Sequence, residues 1–445
     1  MSAMPATEEV LARAMASFEA PAAALDAIAR DFLGQLTRGL VGEPSSLKVL
    51  RTFTRQPTGR ERGRVLVVDW GGSKGRAGLV ELAGGGNVHL ISEEVVTFSD
   101  EDKHAAADHV FDVIAAAVRR IVDAQAVSGA CPLGFAYSYP ARLERIDRAV
   151  ALGLTKGWAL SGIDGQDVAT LLNEALERHG LSRIVVNAVA NDTVAAMMLQ
   201  SYRARGGDVG AGPADIGLIL GTGTNQAADL GSAGIRNLES GNFDGVGPVE
   251  TEYDAALDRG TAEPPPGAQP FEKMVSGHYL GEILRRVLAD LSRVTPMFQW
   301  SAAPEFATPF GFDSEHLSRF EADRSSALSS VAAGLRRLDV ESTLEERRAV
   351  RRLARVVVRR SARLVAAALV GTLRFLDPGL AGRHGAAVDG SLWGGYPGFE
   401  RLVRDALDEL IGVERTKRLE ITFVKDSTSA GVAVIAAVAA QQRSE

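Results

Sequence analysis

The sequence predicts an α/β fold of two lobes with a ligand cleft between them. A chain of 445 residues is too long for one hydrophobic core, since single domains usually contain about 100–200 residues. Three consecutive strand patterns followed by alternating helix and strand patterns are typical of an α/β layer fold. A strand that ends in a glycine-rich turn occurs at 65–72 and again at 216–223, so we expect the turn of a second lobe to face that of the first.

The individual elements follow from apolar spacing and from the residues that interrupt it. Residues 7–40 carry Leu, Ala, Phe and Ile at helical spacing until Gly42 and Pro44 break the pattern, which predicts a helical segment at the start. Glycine runs separate the first three strands, and a turn-rich run at 205–213 separates the two halves. The elements predicted after the helical segment are strands at 65–69, 77–82 and 88–98, a helix at 105–126, a strand at 133–139, a helix at 164–179 and strands at 184–188 and 216–220.

Composition and charge argue against several functional classes. An apolar fraction of 46% and a charged fraction of 24% are those of an ordinary globular protein. The formal net charge of -7 and the pI of about 5.7 argue against a nucleic-acid partner, because such partners usually require a basic surface. The arginines between Arg347 and Arg360 have helical spacing, which indicates a solvated helix face.

The cysteine content and the start of the chain bear on the cellular compartment. Cys131 is the single cysteine and lies in an apolar run, so we expect a buried thiol and no intramolecular disulfide. The first 30 residues mix charged and small residues without an unbroken apolar core, which indicates neither a signal peptide nor a membrane anchor. We therefore expect a cytoplasmic protein without a membrane partner.

Two acidic residues in frames of glycine and hydroxyl residues indicate the chemistry. Asp69 ends an apolar strand before the Gly71-Gly72 turn, whose flexible backbone can bring amide groups close to phosphate oxygens. Asp192 supplies a candidate base, and a loop at 221–225 adds further glycines and hydroxyls. Together they predict a cleft in which a phosphoryl group passes from a nucleotide to a hydroxyl. Each of the two acidic motifs can also be explained without a catalytic role. Asp-x-Gly-Gly is typical of a tight hairpin, and Asn191-Asp192 is typical of a helix N-cap.

Further motifs follow these in order along the chain. The segments lie at 57–63, 69–76, 135–140, 154–158, 191–193, 216–225, 237–243, 271–277, 388–392 and 421–426. In this order they resemble the motifs of the hexokinase and glucokinase family, and the resemblance extends from about residue 45 to about residue 440. The most specific match is 216–225, a strand followed by Gly221-Thr-Gly-Thr-Asn225. The resemblance implies two ribonuclease-H-like lobes, the architecture of actin-like ATPases.

The resemblance implies that ATP phosphorylates the 6-hydroxyl of a hexose, with glucose as the default acceptor and mannose and fructose as alternatives. Asp192 is the implied general base. ATP and Mg²⁺ are the implied cofactors, with Asp69 as a metal contact made through water. The implied sugar-binding residues are Ser138, Thr155, Lys156, Asn191, Asn225, Glu239 and Glu272. The implied nucleotide-binding residues are Asp69, Gly71, Gly72, Ser73, Arg76, Gly221, Thr222, Gly223, Thr224, Gly390 and Ser391.

The resemblance also implies how the chain divides. The small lobe is expected at 62–204 plus 430–445, and the large lobe at 1–61 plus 205–429, with the N-terminal helical segment packed on the large lobe. Closure of the lobes on the sugar would keep water from replacing the acceptor hydroxyl. Hinges are expected near 62–64, 204–206 and 426–431.

Three positions depart from the family pattern. Ser240 stands where Trp is common and Asp244 where Gly is common, so the rim of the sugar pocket is expected to differ. Ala430 stands where the family has a basic residue, which affects the expected nucleotide contacts.

Two other functions stay open. A catalytically silent sugar-binding regulator would have the same fold, but it would not need a base at position 192. An actin-like ATPase or chaperone would share the lobes and phosphate loops but would lack Thr155, Lys156 and Glu272 as sugar ligands. The preferred hexose and the oligomeric state are not determined by the sequence.

Overall fold

Two β-sheets covered by helices form the core of the computed structural model, which describes residues 7–71, 74–154, 157–207, 212–295, 297–298 and 307–442. The predicted α/β class is confirmed. The strands are β1 (Leu50–Arg51), β2 (Arg62–Gly71), β3 (Lys74–Gly84), β4 (Asn87–Thr97), β5 (Cys131–Tyr137), β6 (Ala141–Arg145), β7 (Arg148–Ala151), β8 (Ile184–Ala190), β9 (Ile216–Leu220), β10 (Thr224–Asp229), β11 (Ile235–Asn237), β12 (His384–Asp389) and β13 (Leu419–Phe423). The helices are α1 (Thr7–Ala16), α2 (Ala22–Leu40), α3 (Ala107–Ala124), α4 (Val168–Arg178), α5 (Asp192–Arg205), α6 (Glu252–Gly260), α7 (Pro270–Val275), α8 (Gly277–Val294), α9 (Ser314–Ala322), α10 (Ser329–Arg336), α11 (Leu344–Leu376), α12 (Ser391–Gly395), α13 (Phe399–Ile411), α14 (Val413–Thr416) and α15 (Ser427–Gln442). Of the helices in these ranges, none is both long and apolar enough to cross a membrane.

The first sheet has the strand order β4-β3-β2-β5-β8. β2, β3 and β4 form the predicted antiparallel meander, whereas β5 and β8 run parallel to β2. Because successive strand residues point to opposite faces, Leu66 and Val68 pack in the core with α3 and α4, and Val65 and Val67 pack in the core with α5 and α15. The hairpin of β6 and β7 escaped sequence prediction because its residues are mostly exposed or charged and lack an apolar run.

The second sheet has the strand order β1-β11-β10-β9-β12-β13. β9, β12 and β13 are parallel to one another, and β10, β11 and β1 continue from β9 in antiparallel fashion. The predicted strand at 216–220 is β9, so the second pattern of a strand and a glycine turn belongs to a second sheet, as predicted. On its helical side, α2 packs against the long helix α11.

Helix α5 lies between the two sheets. It contacts β9, β10 and β12 of the second sheet, and it packs along α15, which itself contacts β2, β5 and β8 of the first sheet. The approach to β9 is so close that a Cβ on Gly217 would overlap the carbonyl oxygen of Thr193. The helix that begins at Asp192 is therefore held by both layers.

The arginines between Arg347 and Arg360 do not all lie on a solvated face, and this prediction was wrong for Arg360. Its side chain is completely buried and donates to both carboxylate oxygens of Asp254, over 2.5 and 2.7 Å. The guanidinium also lies 4.8 Å from the ring centroid of Phe18. A charged residue can be buried when it is paired in this way, and its partner in a distant helix is not visible in local spacing.

The predicted hinge segment at 204–206 contains one of three glycines that meet at a junction. A Cβ on Gly59 or on Gly86 would overlap the backbone at 203–206, and a Cβ on Gly206 would overlap Gly86. The Tyr202 hydroxyl donates to the carbonyl oxygen of Glu61 over 2.8 Å and accepts from the amide of Gly84 over 3.1 Å. Three backbone segments are thus in direct contact at these glycines, and the Tyr202 hydroxyl links two of the segments.

Candidate functional site

The candidate base stands at the first turn of α5. Asn191 caps this helix, because its Oδ1 accepts a hydrogen bond from the amide of Val194 over 3.0 Å. Asp192 Oδ1 accepts from the amide and the hydroxyl of Thr193, over 2.8 and 3.2 Å. The capping alternative therefore holds for Asn191, and it leaves the half-buried Asp192 carboxylate at a helix N-terminus, where negative charge is favoured.

The loop after β9 forms a tight turn that is attached to the start of α8. The amide of Gly221 donates to the carbonyl of Gly223 over 3.0 Å, and the amide of Gly277 donates to the carbonyl of Gly221 over 2.8 Å. The amide of His278 binds the carbonyl of Thr222 over 3.2 Å, while the Thr222 residue itself is exposed. The loop is thus rigid at its base and open at its tip, as a phosphate-binding loop requires.

Glu272 lies against the same loop. Its Oε2 accepts a hydrogen bond from the amide of Thr224 over 3.0 Å. A Cβ on Gly223 would lie 2.7 Å from this oxygen, so a larger residue there would displace the Glu272 carboxylate. The structure therefore brings together one predicted sugar ligand and the predicted phosphate loop.

A chain of hydrogen bonds joins two further predicted sugar ligands. Asn225 Nδ2 donates to Asn237 Oδ1 over 2.8 Å, and Asn237 Nδ2 donates to Glu239 Oε1 over 2.7 Å. Glu239 has φ 50° and ψ 49°, in the left-handed region, and such strained residues cluster at functional sites. Asn237 orients both neighbours, and sequence reasoning missed this role although the residue opens the 237–243 motif.

The predicted nucleotide loop after β12 lies beside Gly221. A Cβ on Gly221 would lie 3.2 Å from the amide nitrogen of Ser391. Asp389 holds the turn, since its Oδ1 accepts from the amide of Gly390 over 2.7 Å and its Oδ2 accepts from the amide and hydroxyl of Ser427, over 2.7 and 2.6 Å. Asp389 thus attaches this loop to the first turn of α15, a contact that the sequence analysis did not single out.

The first phosphate loop lies at one end of the first sheet. Asp69 in β2 is in register with Arg76 in β3 and with Ala136 in β5. The amide of Ser138 donates to the carbonyl of Trp70 over 3.1 Å, which places Ser138 next to the turn at Gly71. The structure therefore groups Asp69, Gly71, Arg76 and Ser138, whereas Gly72, Ser73, Thr155 and Lys156 lie outside the described residues.

An aromatic cluster supports this end of the sheet. The fully buried Trp70 packs against the rings of Tyr137, Tyr139 and Trp158, at centroid distances of 5.7, 5.3 and 5.3 Å. Such edge-to-face contacts stabilise beyond the apolar area they bury. The cluster fixes the backbone on both sides of the predicted phosphate and sugar segments.

Two departures from the family pattern have defined surroundings. Ser240 is completely buried, and its amide donates to Asn225 Oδ1 over 3.1 Å. Asp244 accepts a hydrogen bond from Gln35 Nε2 in α2 over 2.9 Å. Asp244 is therefore bound by the N-terminal helical segment, and its expected place on the rim of the sugar pocket stays a prediction.

The residues present suit a nucleotide bound with Mg²⁺. Gly221 and Gly223 carry no side chain that would itself block a phosphate, and the half-buried Asp69 carboxylate lies at the first loop. Within the described part of the chain, no group of three or more acidic, histidine or cysteine residues could hold a metal ion alone. Mg²⁺ usually keeps several waters and binds through few carboxylates plus substrate phosphates, so a single carboxylate is enough.

Comparison with known proteins gives consistent matches over most of the chain. Two family models, both described as hexokinase, match residues 10–202 and 215–438. The chain is 32% identical to hexokinase-2 of Candida albicans over 99% of this chain and 94% of that protein. It is 34% identical to the chloroplastic hexokinase-4 of Oryza sativa subsp. japonica over 86% of this chain and 78% of that protein. The structure of the Schistosoma mansoni hexokinase complexed with glucose superposes with a TM-score of 0.84 and 26% identity, covering 97% of this chain and 100% of that chain.

Proposed function

The chain belongs to the hexokinase family, and on this basis we propose that it transfers a phosphoryl group from ATP to the 6-hydroxyl of a hexose with Asp192 as general base. The observation that carries the proposal is the contact between α5 and β9. It places the helix that begins at Asp192 against the strand that ends in the Gly221–Asn225 loop. A base and a phosphate loop on adjoining elements are what transfer to a hydroxyl requires.

The proposed role of Asp192 follows from the acceptor. A sugar hydroxyl is a poor nucleophile and must lose its proton as its bond to phosphorus develops, so a carboxylate within reach is required. The bonds from Thr193 fix Oδ1 of Asp192, so the orientation of the carboxylate is set before substrate binds. A fixed orientation lowers the cost of reaching the reactive geometry.

The proposed sugar contacts are the hydroxyl, amide and carboxylate groups of Ser138, Thr155, Lys156, Asn191, Asn225, Glu239 and Glu272. Carboxylates accept stronger and more directional bonds from neutral hydroxyls than amides do. Glu239 and Glu272 are each oriented by a neighbour, through Asn237 Nδ2 and the Thr224 amide. Since the Schistosoma mansoni relative is complexed with glucose, glucose is the first acceptor to test, with mannose and fructose next.

The proposed nucleotide contacts are Asp69, Gly71, Gly72, Ser73, Arg76, Gly221, Thr222, Gly223, Thr224, Gly390 and Ser391. Backbone amides of the glycine turns would bind phosphate oxygens, and Arg76 would add a cation. Bound Mg²⁺ would neutralise charge on the phosphates, with Asp69 contacting it through water.

We propose that the lobes are 62–204 plus 430–445 and 1–61 plus 205–429. The packing of α15 on β2, β5 and β8 supports the placement of the last helix, and the packing of α2 on α11 supports that of the N-terminal segment. Closure of these lobes on the sugar would exclude water from the transferred group.

A coupled assay of ADP release tests the proposal. Mg-ATP is supplied with glucose, mannose, fructose or glucosamine in turn, and with no sugar as control. Sugar-dependent release is the expected result. Glucose binding without any stimulated release would instead favour a silent regulator, and equal release with and without sugar would favour an ATPase.

We also propose the cytoplasm as the compartment, although one relative from rice is named chloroplastic. The only cysteine, Cys131, is buried as predicted, and a chain without a disulfide suits a reducing compartment. Cell fractionation followed by immunoblotting would contradict this proposal if the protein were recovered in another fraction.

A further inference from the structure

A surface cleft lies between the start of α1 and the first half of α11. It has a volume of about 620 Å³ and is lined chiefly by Glu8 of α1 and by Glu345, Arg348, Arg351, Arg352 and Arg355 of α11. It shares no residue with the proposed sugar and nucleotide contacts. A volume of this size is in the range of small-molecule sites.

Four arginines form one stripe in this cleft. The other three arginines, at positions 351, 352 and 355, follow Arg348 by three, four and seven residues. This spacing places all four on one face of α11. Four like charges within about two turns repel one another. The cleft is basic in a chain whose formal net charge is -7, so its charge is not a general property of the surface.

The acidic neighbours neutralise only part of this charge. Arg355 donates to both carboxylate oxygens of Glu321, over 2.5 and 3.1 Å, and Arg352 reaches Glu8 Oε1 over 3.2 Å. Glu8 is exposed, with 65% of its side chain accessible, and pairs of this kind contribute little in water.

Arg348 and Arg351 are less well satisfied. Among the described residues, Arg348 has no hydrogen bond or ion pair. Arg351 shares Glu321 with Arg355: its Nε lies 4.0 Å from the Glu321 carboxylate, and its Nη2 donates to the Glu321 carbonyl oxygen over 3.4 Å. On the same helix, by contrast, Arg360 is bound by Asp254 and Arg363 by Glu409. The exposed guanidinium of Arg348 is therefore available to an anionic ligand in this basic cleft.

We propose that this cleft binds a small anion that carries two or more phosphate groups. Guanidinium groups match phosphate oxygens in geometry and bind them through charge-assisted bonds, often two at a time. Several adjacent arginines favour closely spaced phosphates over a single one. The cleft is concave and has a volume of only about 620 Å³, so a compact ligand fits better than a membrane or a nucleic acid.

Titration calorimetry with tripolyphosphate in the absence of Mg²⁺ tests this proposal. The variant R348Q/R352Q removes two exposed guanidinium groups, and R401Q/R404Q on α13 is the matched control, because it removes two charges from another surface helix. Loss of one charge-assisted contact costs about tenfold in affinity. We therefore expect one binding event to weaken by about a hundredfold in R348Q/R352Q and to persist in the control.

The proposed catalytic cleft would also bind phosphates, and the variants separate the two sites. If R348Q/R352Q and the wild type bind tripolyphosphate with the same stoichiometry and affinity, the proposal is overturned. Equal affinity for inorganic phosphate would overturn the requirement for several phosphates. A hexose bisphosphate is titrated separately, and arginine-dependent binding of either compound supports the proposal and identifies the source of the phosphates.

Vesicles of phosphatidylcholine with phosphatidylserine provide the remaining test. Arginine-dependent binding to these vesicles without binding of tripolyphosphate would overturn the proposal in favour of a membrane-docking surface. Circular dichroism and thermal unfolding of R348Q/R352Q are expected to match the wild type, because both side chains are exposed.

Discussion

The amide nitrogen of Thr224 donates a hydrogen bond to Glu272 Oε2 over 3.0 Å. Thr224 belongs to the proposed phosphate loop, whereas Glu272 belongs to the proposed sugar pocket. One carboxylate therefore connects the two halves of the site, and Gly223 allows the approach because a side chain there would meet the same oxygen. A change at Glu272 is expected to affect both substrates.

The substitution Glu272→Gln is expected to raise the KM for glucose by about tenfold, because an amide accepts a weaker bond from a sugar hydroxyl than a carboxylate does. The KM for ATP should rise less, since the backbone of the loop remains. Steady-state kinetics with each substrate varied in turn would measure both values. The exposed Glu263→Gln serves as control and should change neither constant; an unchanged glucose KM in Glu272→Gln would contradict its place in the pocket.

The substitution Asp192→Asn is expected to lower kcat by more than about a hundredfold, the lower end of general-base contributions. Glucose binding and thermal stability should persist, because Asn191 supplies the helix cap. Activity is measured by ADP release and binding by calorimetry.

The neighbouring substitution Asn191→Ala separates the capping role from the catalytic role. Loss of the bond to the Val194 amide is expected to destabilise the protein by about 1 kcal/mol, as measured by urea unfolding.

If Asp192→Asn kept kcat within tenfold of the wild type, another residue would have to be the base.

The substitution Arg360→Met is expected to destabilise the protein by about 3–5 kcal/mol, because it leaves the buried Asp254 carboxylate without its cation. The double variant with Asp254→Asn should recover part of this loss, since no buried charge then remains. Urea unfolding of the two single variants and the double variant gives the coupling free energy. Arg359→Met, at an exposed position of the same helix, is the control, and equal stability of Arg359→Met and Arg360→Met would contradict the inferred ion pair.

The pair of Asp258 and Lys273 predicts an acid-dependent loss of stability. Partial burial alone would raise the pKa of Asp258, but the hydrogen bonds from Lys273 and from the amide of Gly267 lower this pKa overall. A carboxyl group with a lowered folded-state pKa stabilises the fold above its unfolded pKa of about 3.9 and loses this contribution as the pH falls further.

The difference in free energy of unfolding between the wild type and Asp258→Asn should therefore be largest near pH 6, where the carboxyl group is ionised in both the folded and the unfolded state. The difference should shrink below about pH 4. Urea unfolding across this range measures it. A difference that stayed constant with pH would show that the carboxylate charge does not contribute.

Local patterns in the sequence were sufficient for the elements that combine an apolar run with a glycine break. The meander around Asp69, the strand at 216–220 and the N-terminal helical segment at 7–40 are of this kind. Arg360 was misassigned because helical spacing shows that arginines share a face but not what that face meets. Its partner Asp254 is separated by 106 residues, and only packing brings the two together.

The candidate site was predicted at the level of motifs rather than of contacts. The sequence indicated Asn225, Glu239 and Glu272, but not Asn237, which orients two of the neighbouring side chains through its amide. A buried asparagine has no local signature, since its role depends on residues from two strands. The roles of Thr155 and Lys156 stay predictions, because these residues lie outside the described part of the chain.

The meeting of Gly59, Gly86 and Gly206 has a consequence for the speed of any lobe movement. Where side chains interdigitate, one layer can turn against another only after rotamers change, and each change adds to the activation barrier. At this junction the three glycines meet backbone atoms, and the Tyr202 hydroxyl beside them is the side-chain group that bonds to Glu61 and Gly84. If the lobes turn here, a methyl group added at Gly206 would overlap Gly86 and is expected to make the turnover number depend on opening.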